Sequence, residues 1–272
     1  MSTTADLATE ARVAPAAPPR PSHAGRNLAA VLLLAVLLGL AARVIELRPL
    51  ELVRDVGNIG VFLRGYLHPS FAHLGEYAWQ CVITVCIALW GTVLAALISI
   101  PLGLLGARNI APHPLVYLAA RRIMDLLRAV NEFVFALMFV TAVGLGPFAG
   151  MLALGIHTGG VLGKLLSETV EAIDPGQVEG VAATGASRLH VIAFGVIPQV
   201  IPNFLSYVLL RFESDIRSAS VIGMVGGGGI GFYLWDTIRS FNDREAATVI
   251  LLIVAMVMAV DVVSSRIRRA TI

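Results

Sequence analysis

From Ala78 to Ala107 the chain runs for about thirty residues without one charged side chain. A stretch of ~20 apolar residues already matches the hydrocarbon thickness of a bilayer. Inside lipid, every backbone polar group must find its partner within the segment, so such a run folds as a helix. Composition agrees: 14% of residues are charged and 57% hydrophobic, with mean hydropathy +0.82, whereas soluble domains carry about 25% charged residues. The 272 residues accommodate about six spanning helices with short loops, leaving no room for a separate soluble catalytic domain. An all-α membrane protein is expected.

The remaining spans follow from breaks in the apolar pattern. Leu28 to Ala42 follows Arg20 and Arg26 and imitates a secretory signal. The leader before it is long and rich in proline, which favours a retained helix. Residues 1–26 are expected as a disordered tail and residues 27–272 as the membrane domain. The apolar stretch Phe133 to Gly163 is interrupted by Gly144-Leu145-Gly146-Pro147, where proline after glycines ends one helix and starts another. Two spans are therefore placed at Ile123 to Val143 and Pro147 to Leu166. A polar segment, Ser167 to His190, separates these from Val191 to Leu210, and Ala246 to Val263 forms the last span. With six spans, the N-terminus, the Arg108 to Arg128 patch, segment 167–190 and the C-terminal Arg266, Arg268 and Arg269 share one side. Arginines mark the cytoplasmic side, so both termini are expected there, although Arg48, Arg54, Arg64, Arg239 and Arg244 fall opposite.

Several functions are excluded by chemistry. A net charge of +2 gives no nucleic-acid surface. Cys81 and Cys86 point in different directions on a helix, so neither a disulfide nor a metal cage is expected. Gly226-Gly227-Gly228-Gly229-Ile230-Gly231 fits a dinucleotide loop by letters, but its flanks are membrane helices rather than a βαβ unit. Gly159 to Lys164 lacks the first glycine and the Ser/Thr of a phosphate-binding loop, so no ATP site is expected and no cofactor bound by this chain. An integral membrane enzyme is the competing reading from another class. Against it, no nucleophile or metalloprotease motif accompanies His157, which is expected to pack as a hydrogen-bonded structural residue.

Segment 167–190 contains one short helix with its ends written in sequence. Asp174 suits the N-cap, Pro175 the first helical position, Gln177 the reciprocal capping position and Gly185 the stop, with Ser187 capping the next helix. Small residues on this stiff cytoplasmic knob would let a partner approach the backbone.

This stretch resembles the coupling motif of permease subunits of binding-protein-dependent ABC importers, with Glu179, Gly185 and Ile197-Pro198 in matching places. It departs at Gly180 and Val181, where the family has alanines, and at Gly195, where an aliphatic residue is usual. From about Trp79 to Arg269 the chain is similar to the phosphonate-type subfamily, through Pro101 to Asn109, Val143 to Gly150, Glu171 to Gly176, Ala183 to Arg188 and Gly228 to Phe232. The resemblance implies a type I importer fold with a cytoplasmic coupling helix, in which Glu179, Ala182, Ala183 and Gly185 meet the ATPase. It implies a second copy of the permease, two cytoplasmic ATPase subunits that carry ATP and magnesium, and a periplasmic binding protein. The substrate implied is phosphonate or a related phosphorus oxyanion such as phosphite or hypophosphite; an amino acid importer is the alternative within transport.

Four charges, Arg211, Glu213, Asp215 and Arg217, fall on the continuation of the Val191 helix into the membrane. Intramembrane charges are costly and mark pathways or buried pairs. Arg211 with Asp215, and Glu213 with Arg217, have i,i+4 spacing and could neutralise each other. The two pairs project about 200° apart at ~100° per residue, which requires enclosure on most sides of this helix. Lining of an anion path and structural packing both remain open from sequence. Gly226, Gly227, Gly228 and Gly229 follow, as a candidate gate or close dimer contact.

Overall fold

The computed structural model describes residues 24–54 and 56–271, so most of the expected N-terminal tail lies outside the described residues. All regular structure among them is helical. The chain divides after Asn58 into two compact units. The first contains α1 (Ala24–Val44) and α2 (Pro49–Arg54), with Arg48 between them paired to both Glu46 and Glu51. α3 (Val56–Tyr66) crosses the division in sequence.

The second unit is built on α4 (Leu74–Leu105) and α7 (Pro147–Glu171). Their contact is close because each offers glycines to the other's leucines and isoleucines. A Cβ added at Gly103 would lie 2.7 Å from Leu166 Cδ2, at Gly155 2.6 Å from Leu94 Cδ2, and at Gly159 3.1 Å from Ile98 Cγ2. Small residues let membrane helices approach until van der Waals contact replaces the hydrophobic driving force that lipid removes. Around this pair lie α5 (Pro114–Ala129), α6 (Glu132–Val143), α10 (Ile197–Ile222), α11 (Ile230–Arg239) and α12 (Asp243–Thr271). One apolar core joins Ile87, Leu154, Ile216, Ile222, Ile230 and Val249; a second, smaller one joins Leu166, Val170, Val196 and Val200. Outward-facing Trp79, Trp90 and Leu97 remain more than half exposed, as suits a surface covered by lipid rather than water.

Among the described residues five helices are long and apolar enough to cross a membrane, or six if α5 and α6 together make one span. That pair corrects the sequence expectation of one helix from Ile123 to Val143. The axes of α5 and α6 bend by 87°, because Asn131 starts a new helix by accepting a hydrogen bond from the Phe133 amide at 2.9 Å. α6 then stops as expected: Gly144 adopts φ +93° and Gly146 φ +142°, backbone that disfavours any side chain, and Pro147 opens α7.

The span expected from Val191 to Leu210 is longer in the structure. α9 (Arg188–Val191) runs through a π-helical turn at Ile192–Val196 into α10, which continues to Ile222. Pro198 lies in the first turn of α10, where a missing amide is tolerated. All four intramembrane charges therefore sit on one continuous helix.

Candidate functional site

α8 (Pro175–Ala183) projects as a short helix with no buried residue. Asp174 caps it by accepting from the Gly176 amide at 2.9 Å, and Pro175 occupies the first turn. The reciprocal bond comes from elsewhere than expected. Gln199 of α10, rather than Gln177, accepts from the Asp174 amide at 3.1 Å, and its amide group donates to the Gly195 carbonyl at 2.6 Å. The N-terminus of α8 is thus tied to the first turn of α10. Gly185 has φ +80° and ends the helix, as expected. Ser187 stands at the N-cap of α9, but its hydroxyl contacts His190 Nδ1 at 2.7 Å instead of capping the backbone.

Glu179, Ala182, Ala183 and Gly185 are all exposed, so the face read as a docking surface is free in this chain. Val178 and Val181, on a neighbouring side of α8, pack onto the π-helical turn. A Cβ at Gly195 would lie 3.3 Å from Val178 Cα and 3.7 Å from Val181 Cβ. The unusual Val181 and Gly195 therefore compensate: a larger residue on α8 meets a residue with no side chain beneath it. Gly180 has open space around it.

Among the described residues the charged residues of α10 form no direct ion pair with one another, although Arg211 still acts on Asp215 through its charge. Three of the four turn to side chains on other helices. Asp215 is buried and accepts hydrogen bonds from Thr92 of α4 at 2.9 Å and Thr158 of α7 at 2.8 Å. Glu213 pairs with Arg268 of α12 at 2.7 Å, and Arg217 with Asp261 of α12 at 3.5 Å. Among the described residues Arg211 makes no such pair, and its Nε is buried without a hydrogen-bond partner. Tertiary partners enclose Asp215 and Glu213, whereas the Arg217–Asp261 pair stays about half exposed. Sequence spacing gave no sign of Thr92, Thr158, Asp261 or Arg268, because each lies on another helix.

His157 behaves as expected of a hydrogen-bonded residue. Its Nδ1 lies 2.8 Å from the Val130 carbonyl, which can only accept, so Nδ1 donates. Nε2 then faces the Glu132 carboxylate at 3.3 Å, and Ser218 donates to the other Glu132 oxygen at 2.8 Å. This network spans the bend between α5 and α6 and fastens it to α7 and α10. On one side of it lies a cavity of about 530 Å³, lined by His157 with Asp125, Arg128, Lys164, Glu168 and Arg211. On the other lies a smaller one of about 280 Å³, lined by Glu132, Arg217 and Ser218 among others.

The glycine run packs inside the chain. Gly226, Gly228 and Gly229 have φ between +76° and +94°. The Gly226 carbonyl accepts from the Gly146 amide at 2.9 Å, and Ile230 N–H donates to the Thr84 hydroxyl at 2.8 Å. Any Cβ on Gly150 would strike the Gly227 carbonyl. The run is a tight loop that locks the α10 end onto the α6–α7 turn. Among the described residues no group of three or more His, Cys, Asp or Glu could hold a metal ion.

Comparison with known proteins fits this geometry. The chain is 37% identical over 218 residues to the phosphite transport system permease protein PtxC of Stutzerimonas stutzeri, covering 80% of this chain and 79% of that one. It is 35% identical over 243 residues to the putative phosphite transport system permease protein HtxC of the same organism, covering 89% and 86%. The solved MetNI methionine ABC transporter, in an inward-facing conformation, shares the fold at TM-score 0.63 and 18% identity, over 73% of this chain and 96% of the other. These likenesses place a transport subunit, rather than an enzyme, in the inner membrane. Residues 99–271 match the model of the binding-protein-dependent transport system inner membrane component, and the chain belongs to that family.

Proposed function

We propose that this chain is the permease subunit of an ATP-driven importer for phosphorus oxyanions: phosphite, hypophosphite or phosphonate. The observation that carries the substrate class is the extended identity to phosphite permeases over about four-fifths of both chains. In this reading two copies of the permease form the path, a periplasmic binding protein delivers the anion, and two cytoplasmic ATPase subunits bind ATP and magnesium. The face of Glu179, Ala182, Ala183 and Gly185 docks into the ATPase, and both chain termini are cytoplasmic. Support for the docking role comes from the exposure of that face and from the ties between α8 and the foot of α10. Motion of α8 then reaches the membrane through Gln199 and Gly195 rather than through a slack loop.

The test is reconstitution of the permease with its ATPase and binding protein in liposomes. Phosphite uptake that needs both partners and ATP is expected, with methionine not taken up. Uptake of methionine instead, or phosphite movement independent of ATP, would contradict the assignment.

A further inference from the structure

Three cations, Arg128, Lys164 and Arg211, face the larger cavity against two carboxylates, Asp125 and Glu168. Asp125 is already engaged by Arg128 at 3.1 Å and Lys164 at 3.8 Å. The acids nearest Arg211 are held by other groups: Asp215 by two threonine hydroxyls, Glu132 by Ser218 and His157. Among the described residues Arg211 Nε is buried without a hydrogen-bond partner, although the arginine's charge still acts on Asp215 and Glu132. A buried donor without a partner is costly, and arginine cannot relieve that cost by losing its proton. Such a group is poised for an acceptor that arrives from outside.

The apolar cavities give a contrast within the same molecule. One is walled by Ile100, Leu104, Val200 and Phe204, another by Trp79, Trp90, Phe148 and Met151, with almost no polar surface. The Arg211 cavity is charged instead, and its three cations against two carboxylates favour a solute with negative charge. Its volume of about 530 Å³ exceeds the ~30 Å³ share of a water molecule many times, enough for a tetrahedral anion with residual hydration. In a low-dielectric bundle, charge-assisted bonds from arginine and lysine to phosphoryl oxygens are strong.

We propose that this cavity is a transit site for the transported oxyanion, with Arg211 and Lys164 donating to its oxygens. The site rests on the phosphorus-oxyanion reading above. The Glu132–His157 contact forms its wall toward the smaller cavity, where Arg217 stands. Arg211 is thus separated from Arg217, with which it shares the helix but no cavity.

The experiment uses the assembled permease, ATPase and binding protein in liposomes, with phosphite as the probe. Lys164→Gln and Arg211→Gln are each expected to lower the maximal uptake rate about tenfold, equal to ~1.4 kcal/mol. Phosphite affinity of the binding protein stays unchanged, and Arg211→Lys recovers part of the rate. Lys164, at the cavity wall and making only a 3.8 Å contact, keeps the test independent of how Arg211 packs. Wild-type uptake of phosphite with Lys164→Gln within twofold of it would overturn the transit site and leave the substrate reading standing. Failure of the wild-type complex to take up phosphite, with another solute carried instead, would overturn both.

Discussion

Glu213 and Arg268 lie 55 positions apart in sequence and 2.7 Å apart in space, joining the middle of α10 to the last turn of α12. Glu213 is 13% exposed and Arg268 29%, so loss of one partner strands a largely desolvated charge. Arg268→Gln is expected to destabilise the permease by about 2 to 3 kcal/mol, below the usual cost of a fully buried pair because water reaches Arg268. Thermal unfolding in detergent reads the change. The double variant Arg268→Gln with Glu213→Gln should recover most of it, whereas full stability in the single variant would show that the pair does not hold the helices.

Asp215 takes its hydrogen bonds from two hydroxyls rather than from a cation. Hydrogen bonds inside membrane proteins contribute on average ~0.6 kcal/mol each. Thr92→Val and Thr158→Val should therefore each cost roughly 0.6 to 2 kcal/mol, and together more than their sum, because the second removes the last direct donor to a buried carboxylate. A double-mutant cycle on unfolding temperature measures this. Strict additivity would mean that Arg211 or water already compensates.

Close backbone approach makes a sharper contrast between glycines. Gly150→Ala should prevent recovery of folded permease, because its methyl meets the Gly227 carbonyl. Gly180→Ala meets nothing and replaces a poor helix former in α8 by the best, gaining about 0.5 to 1 kcal/mol of helix stability. Size-exclusion profiles of both variants provide the comparison; equal yields would argue against the tight loop.

The Val181–Gly195 contact predicts rescue by exchange. Gly195→Val should push against Val178 and Val181 and lower ATP-coupled uptake, and adding Val181→Ala should restore it. Uptake assays on the three proteins decide whether the two positions compensate.

Much of this arrangement is legible in the sequence where a local signal exists. The uncharged run before Arg108, the Gly144 to Pro147 turn and the Asp174, Pro175 and Gly185 punctuation of α8 each follow from propensities of the residues themselves. The bend before α6 is marked by Asn131 beside Glu132 and by the charges Arg121, Arg122, Asp125 and Arg128, which belong to an amphipathic helix rather than to one apolar span with residues 133–143. The partners of α10 were not legible at all. Arg211 with Asp215 fits the helical spacing, yet folding offers Asp215 two hydroxyls from α4 and α7, and the i,i+4 rule has no access to partners on other helices. For the same reason Val181 and Gly195 look like two departures from a family pattern, when in space they form one fit.

The central claim, that α8 transmits ATP hydrolysis to the membrane helices, is tested most directly by substrate-stimulated ATPase activity of the assembled complex carrying Glu179→Lys or Ala182→Trp. Both positions are exposed and neither has the strained backbone that would confound a change at Gly185. The account predicts that both variants insert and fold as the wild type, while stimulation by the liganded binding protein and phosphite uptake fall at least about tenfold, ~1.4 kcal/mol of coupling. Wild-type stimulation and uptake in both variants would contradict it.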